Sequence, residues 1–219
     1  MAWFAIVTTT HAPTLAIAGT AIIAAAIAVP ILLALWVMAA YNALAARRVR
    51  VQNGFAQIDV QLRRRHDLVP NLVGAVKGAM SHERDTLEAV TQARVAAVGA
   101  QERAASKPGD AASTVAMAGA EAVLAGALSR LLALIERYPD LKASSNALQL
   151  QEELVSTENR IAFARQAYND AVMAYNTRLS VFPDMLVARV FGFVPAGLFE
   201  AEATERALPA VDLVPAAGR

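Results

Sequence analysis

LAIAGTAIIAAAIAVPILLALWVM, running from Leu15 to Met38, is the stretch on which the reading of this chain turns. It is long enough to cross a bilayer, which takes roughly 20 apolar residues. No Asp, Glu, Lys or Arg occurs anywhere from Met1 to Ala46. Pro30 lies inside the stretch, where a transmembrane helix tolerates a proline as a kink. Trp36 and Tyr41 stand at its C-terminal end, the place of an interfacial aromatic belt. A secretory signal would have a basic n-region and a shorter apolar core. The expectation is therefore a membrane anchor over residues 14–40, preceded by a short external segment over residues 1–13.

Orientation follows the arginines. On the N-terminal side only the α-amino group and His11 carry charge. On the C-terminal side come Arg47, Arg48 and Arg50, then Arg63, Arg64 and Arg65, with Asp59 as the sole acid among them. The positive-inside bias puts the chain beyond the anchor on the cytoplasmic side of the membrane. Arg47, Arg48, Arg50, Arg63 and Arg64 read as a membrane-proximal basic collar. They either fix topology alone or also touch anionic headgroups, at about 1 kcal/mol each.

Beyond the anchor the pattern is helical. Val51, Phe55, Ile58, Leu62, Arg65, Val69, Leu72, Val76 and Ala79 step by 4 and 3, a heptad-like stripe. Pro70 should bend this helix. Ser81 is a candidate N-cap for a second helix with Leu87, Val90, Arg94 and Ala97 on one face. Ser106-Lys-Pro-Gly-Asp110 reads as a loop. Ser113 or Thr114 would cap a third helix whose stripe is Val115, Ala118, Ala122, Ala125, Leu128, Leu132 and Ile135, ended by Tyr138-Pro139-Asp140. Ser144-Ser145-Asn146 opens a last helix with Leu150, Leu154, Thr157, Ile161, Ala164, Tyr168, Val172, Tyr175, Leu179 and Phe182 inward, stopped by Pro183. Its length is about 55 Å. The fold class is all-α: a transmembrane helix continuing into an elongated antiparallel four-helix bundle over residues 41–195. An acidic, Pro-containing tail over residues 196–219 either stays poorly ordered or lays its aromatics on the bundle.

Enzyme chemistry finds no foothold. There is no cysteine, which removes thiolate catalysis, disulfides and Cys-type metal sites. No phosphate-cradling glycine loop and no nucleophile elbow occur. His82-Glu83 begins like a zinc-protease helix, but no second histidine follows at helical spacing, and no Glu-x-x-His pair suggests a di-iron bundle. The reading is no enzyme, no cofactor and no metal. A net charge of +1 with no basic field interleaved with aromatics argues against nucleic acid.

The unusual polar residues are Arg65, which falls on an apolar stripe, with Asp67 and Asn71 nearby, and Glu158 and Asn159 on the last helix. If the first and last helices are antiparallel neighbours, these five form a candidate buried polar network with Arg65–Glu158 as its natural pair. Alternatively, Arg65 snorkels. Tyr168-Asn169 and Tyr175-Asn176 repeat a dipeptide at a seven-residue interval on one helix face, and read as packing tyrosines with polar tips.

Gln57-Ile-Asp-Val-Gln-Leu-Arg-Arg-Arg65, Asp67-Leu-Val-Pro-Asn-Leu-Val73, His82-Glu83, Arg137-Tyr-Pro-Asp-Leu141, Thr157-Glu-Asn-Arg-Ile161, Ala164-Arg-Gln-Ala-Tyr-Asn169, Tyr175-Asn176 and Phe182-Pro183 together resemble the bacterial LemA family. The resemblance runs from Tyr41 to about Asp212 and departs from the family in a longer, alanine-rich N-terminal lead. It implies one membrane helix, a long helical bundle and no established catalysis. It also implies envelope-protein partners, and a relative that helps build magnetosome membranes. The partners expected are membrane lipid and other membrane or envelope proteins, with homo-oligomerisation left open. The function expected is a scaffold or adaptor; the alternative is an oligomerising, membrane-organising structural protein.

Overall fold

A computed structural model describes the backbone of residues 12–200 and the side chains of residues 22–200. The external N-terminus expected over residues 1–13, with His11, and the acidic tail from residue 201 onward lie outside the described residues, apart from the backbone of residues 12 and 13. The fold is all-α, with no strand among the described residues. It comprises α1 (Ala12–Val76), α2 (Arg84–Ser106), α3 (Ala111–Ile135), α4 (Pro139–Lys142), α5 (Ser145–Ser180) and α6 (Asp184–Val190).

α1 is unbroken through Pro30 and Pro70 and rises about 100 Å. From Ile22 to Leu35 its side chains are exposed to whatever surrounds the chain. From Ala40 onward one face is buried, and Leu44, Val51, Phe55, Ile58, Leu62, Val69, Leu72 and Val76 form the core side. The stripe ends at Met80 rather than Ala79, which is exposed, because the last turn opens into a loop at Lys77. α5 lies antiparallel to this half. Arg47 reaches the Ala174 carbonyl, Phe55 packs on Tyr168, and Arg64 and Arg65 meet Glu153 and Glu158. α2 runs back along α1, with Arg94 at His66 and Gln101 at Asp59, and α3 completes the core on α2. Among the described residues three apolar clusters fill the interior, one around Leu72, Leu124 and Leu131, one around Ile58, Met117 and Tyr168, and a smaller one of Ala40, Leu44, Val187 and Ala188. Among the described residues two helices, α1 and α3, are long and apolar enough to cross a membrane. The apolar stretch of α1 has mean hydropathy 2.7 and none of it is buried by the rest of the chain, whereas α3 supplies core residues.

Several boundaries differ from the sequence reading. Ser81 does not cap α2: the N-cap is Glu83, without a side-chain bond. α3 is capped by Asp110, whose carboxylate accepts from the Ser113 amide, not by Ser113 or Thr114. Its buried face is Thr114, Met117, Ala118, Glu121, Leu124, Leu128, Leu131 and Ile135, while Val115 and Ala122 are exposed. Tyr138 precedes a short extra helix, α4, with Pro139 in its first turn, where a missing N–H costs nothing. Ser144 does cap α5, accepting from the Ala147 amide. Phe182, expected inward, is 73% exposed, because α5 stops at Ser180.

Candidate functional site

Two polar assemblies stand out. The first sits at mid-length, where α1, α3 and α5 meet. Arg65 is 3% exposed. Its Nη2 donates to Glu121 Oε2 on α3, and its Nη1 to Glu158 Oε2 on α5 at 2.5 Å. The other Glu121 oxygen, Oε1, lies 2.7 Å from His66 Nε2. Burial alone raises the Glu121 carboxyl, but the His66 hydrogen bond and the Arg65 charge outweigh it and hold that carboxyl below its ordinary value. A buried carboxylate between an arginine and a histidine thus stays ionised at neutral pH.

Pro70 explains the neighbouring contact. It has no N–H, so the His66 carbonyl, four residues earlier, loses its helical partner. Arg94 Nε donates to that oxygen at 2.6 Å, which lets α1 continue through the proline. A cavity of about 50 Å³ adjoins the network, lined by Arg65, Glu121 and Glu158 among others. That is far below the roughly 300 Å³ a small-molecule pocket needs.

Of the residues expected in a buried network, Arg65 is buried and Glu158 touches it, though the Glu158 side chain is 52% exposed. Asp67, Asn71 and Asn159 do not belong: all three are exposed, because they fall on the outer turns of α1 and α5. Sequence reading missed Glu121, His66 and Arg94 as members. The available signal was that Glu121 is the only acid in the 25 residues of α3.

The expected collar also divides. Arg47, Arg48 and Arg50 follow closely on the apolar stretch, and Arg47 donates to the Ala174 carbonyl at 3.1 Å. Arg63 lies about 24 Å further along the same continuous helix, well beyond a Debye length of about 8 Å. It pairs with Asp59, and Arg64 with Glu153. These two arginines serve the bundle surface, not the collar. Among the described residues no group of three or more acidic or histidine side chains is placed to hold a metal ion.

The second assembly is a strap. After α6 the chain runs extended from Val194 to Glu200 along α5. Asn176 bonds both main-chain groups of Ala196: its Nδ2 donates to the carbonyl at 2.8 Å and its Oδ1 accepts from the amide at 2.9 Å. Asn169 does the same to Phe199, at 3.2 and 2.8 Å. The two tyrosines add hydroxyl bonds, Tyr175 to the Val194 carbonyl at 3.0 Å and Tyr168 to the Gly197 carbonyl at 2.7 Å. Seven residues of helix rise about 10.5 Å, and three residues of extended chain span about 10 Å. The repeated dipeptide therefore meets the strap at matching intervals. The tyrosines are packing residues, as read from sequence, but the asparagines are clamps. The fold continues past residue 195 to at least Phe199, which is 3% exposed.

The LemA family model matches residues 54–213, most of the chain and all of both assemblies. The chain belongs to the LemA family. LemA-family proteins are membrane-associated, in keeping with the apolar, exposed stretch of α1 that starts at Ile22. Among its relatives, the magnetosome protein MamQ of Magnetospirillum gryphiswaldense is 27% identical over 168 residues, covering 70% of this chain and 62% of that protein. MamQ 1 of Paramagnetospirillum magneticum is 34% identical over 92 residues, 42% of this chain and 34% of that protein. Protein LemA of Metamycoplasma hominis is 26% identical over 165 residues, 75% of this chain and 71% of that one. The LemA-family chain thus spans between a third and two thirds of the MamQ proteins.

Proposed function

We propose that this chain is a non-catalytic, single-pass membrane protein of the bacterial inner membrane. Its elongated four-helix bundle acts, on the cytoplasmic side, as a scaffold or adaptor for other envelope proteins. The observation that carries the reading is α1 itself: one helix from Ala12 to Val76 that is apolar and exposed from Ile22 to Leu35 and bundle core from Ala40 onward. A bundle joined to its anchor without a linker has a fixed attitude to the membrane, which serves positioning more than turnover. The arginine bias at Arg47, Arg48 and Arg50 supports a cytoplasmic bundle. Crosslinking in intact cells, followed by mass spectrometry, tests it. Recurrent crosslinks from the bundle to defined membrane proteins are expected; a bundle that crosslinks to nothing above background overturns the reading.

A second reading, an oligomerising membrane-organising protein, is favoured by an open apolar seam between α1 and α5. Val60, 60% exposed, and Phe163, 73% exposed, line it. The magnetosome names of the relatives point the same way. Mass measurement in native lipid discriminates the two: a strict monomer removes the second reading.

A further inference from the structure

α6 is too short to matter as a helix in isolation, yet it is built with care. Its C-terminus closes in a Schellman turn. The Phe193 amide bonds the Ala188 carbonyl at 2.9 Å, the Gly192 amide bonds Arg189, and Gly192 adopts φ +69°, a conformation that favours glycine. This turn folds Phe191 and Phe193 onto Tyr41 of α1, with ring centroids 5.0 and 5.5 Å away, edge to face. The inner face of α6, Val187 and Ala188, is sealed against Ala40 and Leu44. α6 is therefore pinned at the level of α1 where the apolar stretch ends.

Among the described residues, the outer face has no partner. Phe182 is 73% exposed, Leu186 48%, Val190 79% and Val194 69%. Leu186 and Val190 are one turn apart on the same side. The one acid of α6, Asp184, is turned inward, 4% exposed, and paired with Arg178. What remains outside is apolar residues with Arg189, a composition suited to the boundary between headgroups and acyl chains. The patch is also continuous with the exposed apolar side of α1, since Phe191 shares a surface groove with Pro30, Leu33 and Met38.

We propose that the α6 turn, with Phe182, Leu186, Val190 and Val194 at its edge, is a second membrane-contacting element. It dips into the bilayer interface beside the anchor, and its occupant is lipid. The inference rests on the reading of the first half of α1 as a membrane span. With two points of contact the bundle is held against rotation about the axis of α1, which a lone helix cannot do.

The chain has no cysteine, so single cysteines can be introduced without background. Val190→Cys and Phe182→Cys variants of the full chain are spin-labelled in phosphatidylcholine–phosphatidylglycerol vesicles. Label depth is read from relaxation by oxygen against a water-soluble nickel chelate. Ile27→Cys, in the apolar stretch, and Val155→Cys, on α5 and 56% exposed, are the deep and aqueous references. The labels at Val190 and Phe182 are expected about 5–10 Å into the headgroup–acyl boundary. Nickel access at Val190 equal to that at Val155, with Ile27 in lipid, overturns this proposal alone. Shielding of Val190 from both reagents means a protein covers the patch, and also overturns it. An aqueous Ile27 label overturns the span and this proposal together.

Discussion

Arg94 of α2 donates its Nε hydrogen to the main-chain oxygen of His66 on α1, across 2.6 Å. That oxygen has no helical donor because residue 70 is proline. The contact replaces a lost helical bond with an interhelical one, so a local defect becomes a tertiary tie. Arg94→Met should cost about 1–3 kcal/mol, the usual penalty for stranding a buried acceptor. In a Pro70→Ala background the amide restored at position 70 can take over, and the same change should then cost under about 1 kcal/mol. Chemical denaturation of the four proteins in detergent supplies the cycle. Equal costs in both backgrounds would contradict the link.

The two carboxylates on Arg65 should be unequal. Glu121 is sealed in with Arg65, the two side chains 5% and 3% exposed, whereas the Glu158 side chain is half exposed. Glu121→Ala leaves a buried cation without its closest partner and should cost about 3–5 kcal/mol. Glu158→Ala removes a solvated pair and should cost about 1 kcal/mol or less. Thermal unfolding ranks them, and comparable losses would show that the two carboxylates share the role of counter-ion equally.

Acid should act through the same residue. The folded protein holds the Glu121 carboxyl below its ordinary value of 4.5, so the stability it contributes is fully present above that value. It is lost as pH falls through the lower folded one, because the unfolded chain then binds the proton more readily. Stability against pH should fall in that acidic window for the parent protein and fall less steeply for Glu121→Gln. Parallel curves for the two proteins would place the acid response elsewhere.

The strap should loosen one clamp at a time. Asn176→Ala removes both bonds to Ala196 and should speed exchange of the Ala196 amide, leaving the Phe199 amide to Asn169. The cost should be about 1–3 kcal/mol for the stranded groups. Hydrogen exchange resolved by residue tests this, and uniform exchange along residues 194–200 would mean that the clamps do not act separately.

Gly197 gives a steric version of the same test. A Cβ there would lie 2.4 Å from the Ala111 Cα at the start of α3. Gly197→Ala should displace the strap and cost about 1–3 kcal/mol, as overpacking does. Its signature would be exposure of Phe199 to proteolysis under conditions where the parent strap resists. An unchanged digestion pattern would show that α3 yields instead.

The inner faces of α1 and α5 were legible because their polar and apolar residues alternate with strong contrast, from Val51 to Val76 and from Leu154 to Tyr175. α3 was legible as a helix but not in its phase. Glu121 and Arg130 are its only charges, so the pattern is apolar nearly all round. A stripe drawn through Val115 and Ala122 looks as good as the true one through Thr114 and Glu121. A slip of one residue turns a helix by about 100°, which moved Glu121 from the core to the surface in the sequence reading and left Glu158 as the only visible partner for Arg65. The strap was illegible for another reason. An extended segment held by side chains on a helix has no period of its own, so Tyr168-Asn169 and Tyr175-Asn176 showed half of a contact whose other half is main chain.

The unbroken course of α1 also sets a stand-off. From Tyr41, where the apolar stretch has ended, to Val76 the helix rises about 50 Å. Near its tip an open pocket lined by Val73, Lys77, Met80 and Leu87 faces outward. With the apolar stretch in a bilayer, as proposed, a partner at that pocket would be kept a fixed distance from the lipid, as by the arm of a bracket. A shift in the tilt of the span would be magnified at that tip in proportion to the arm's length.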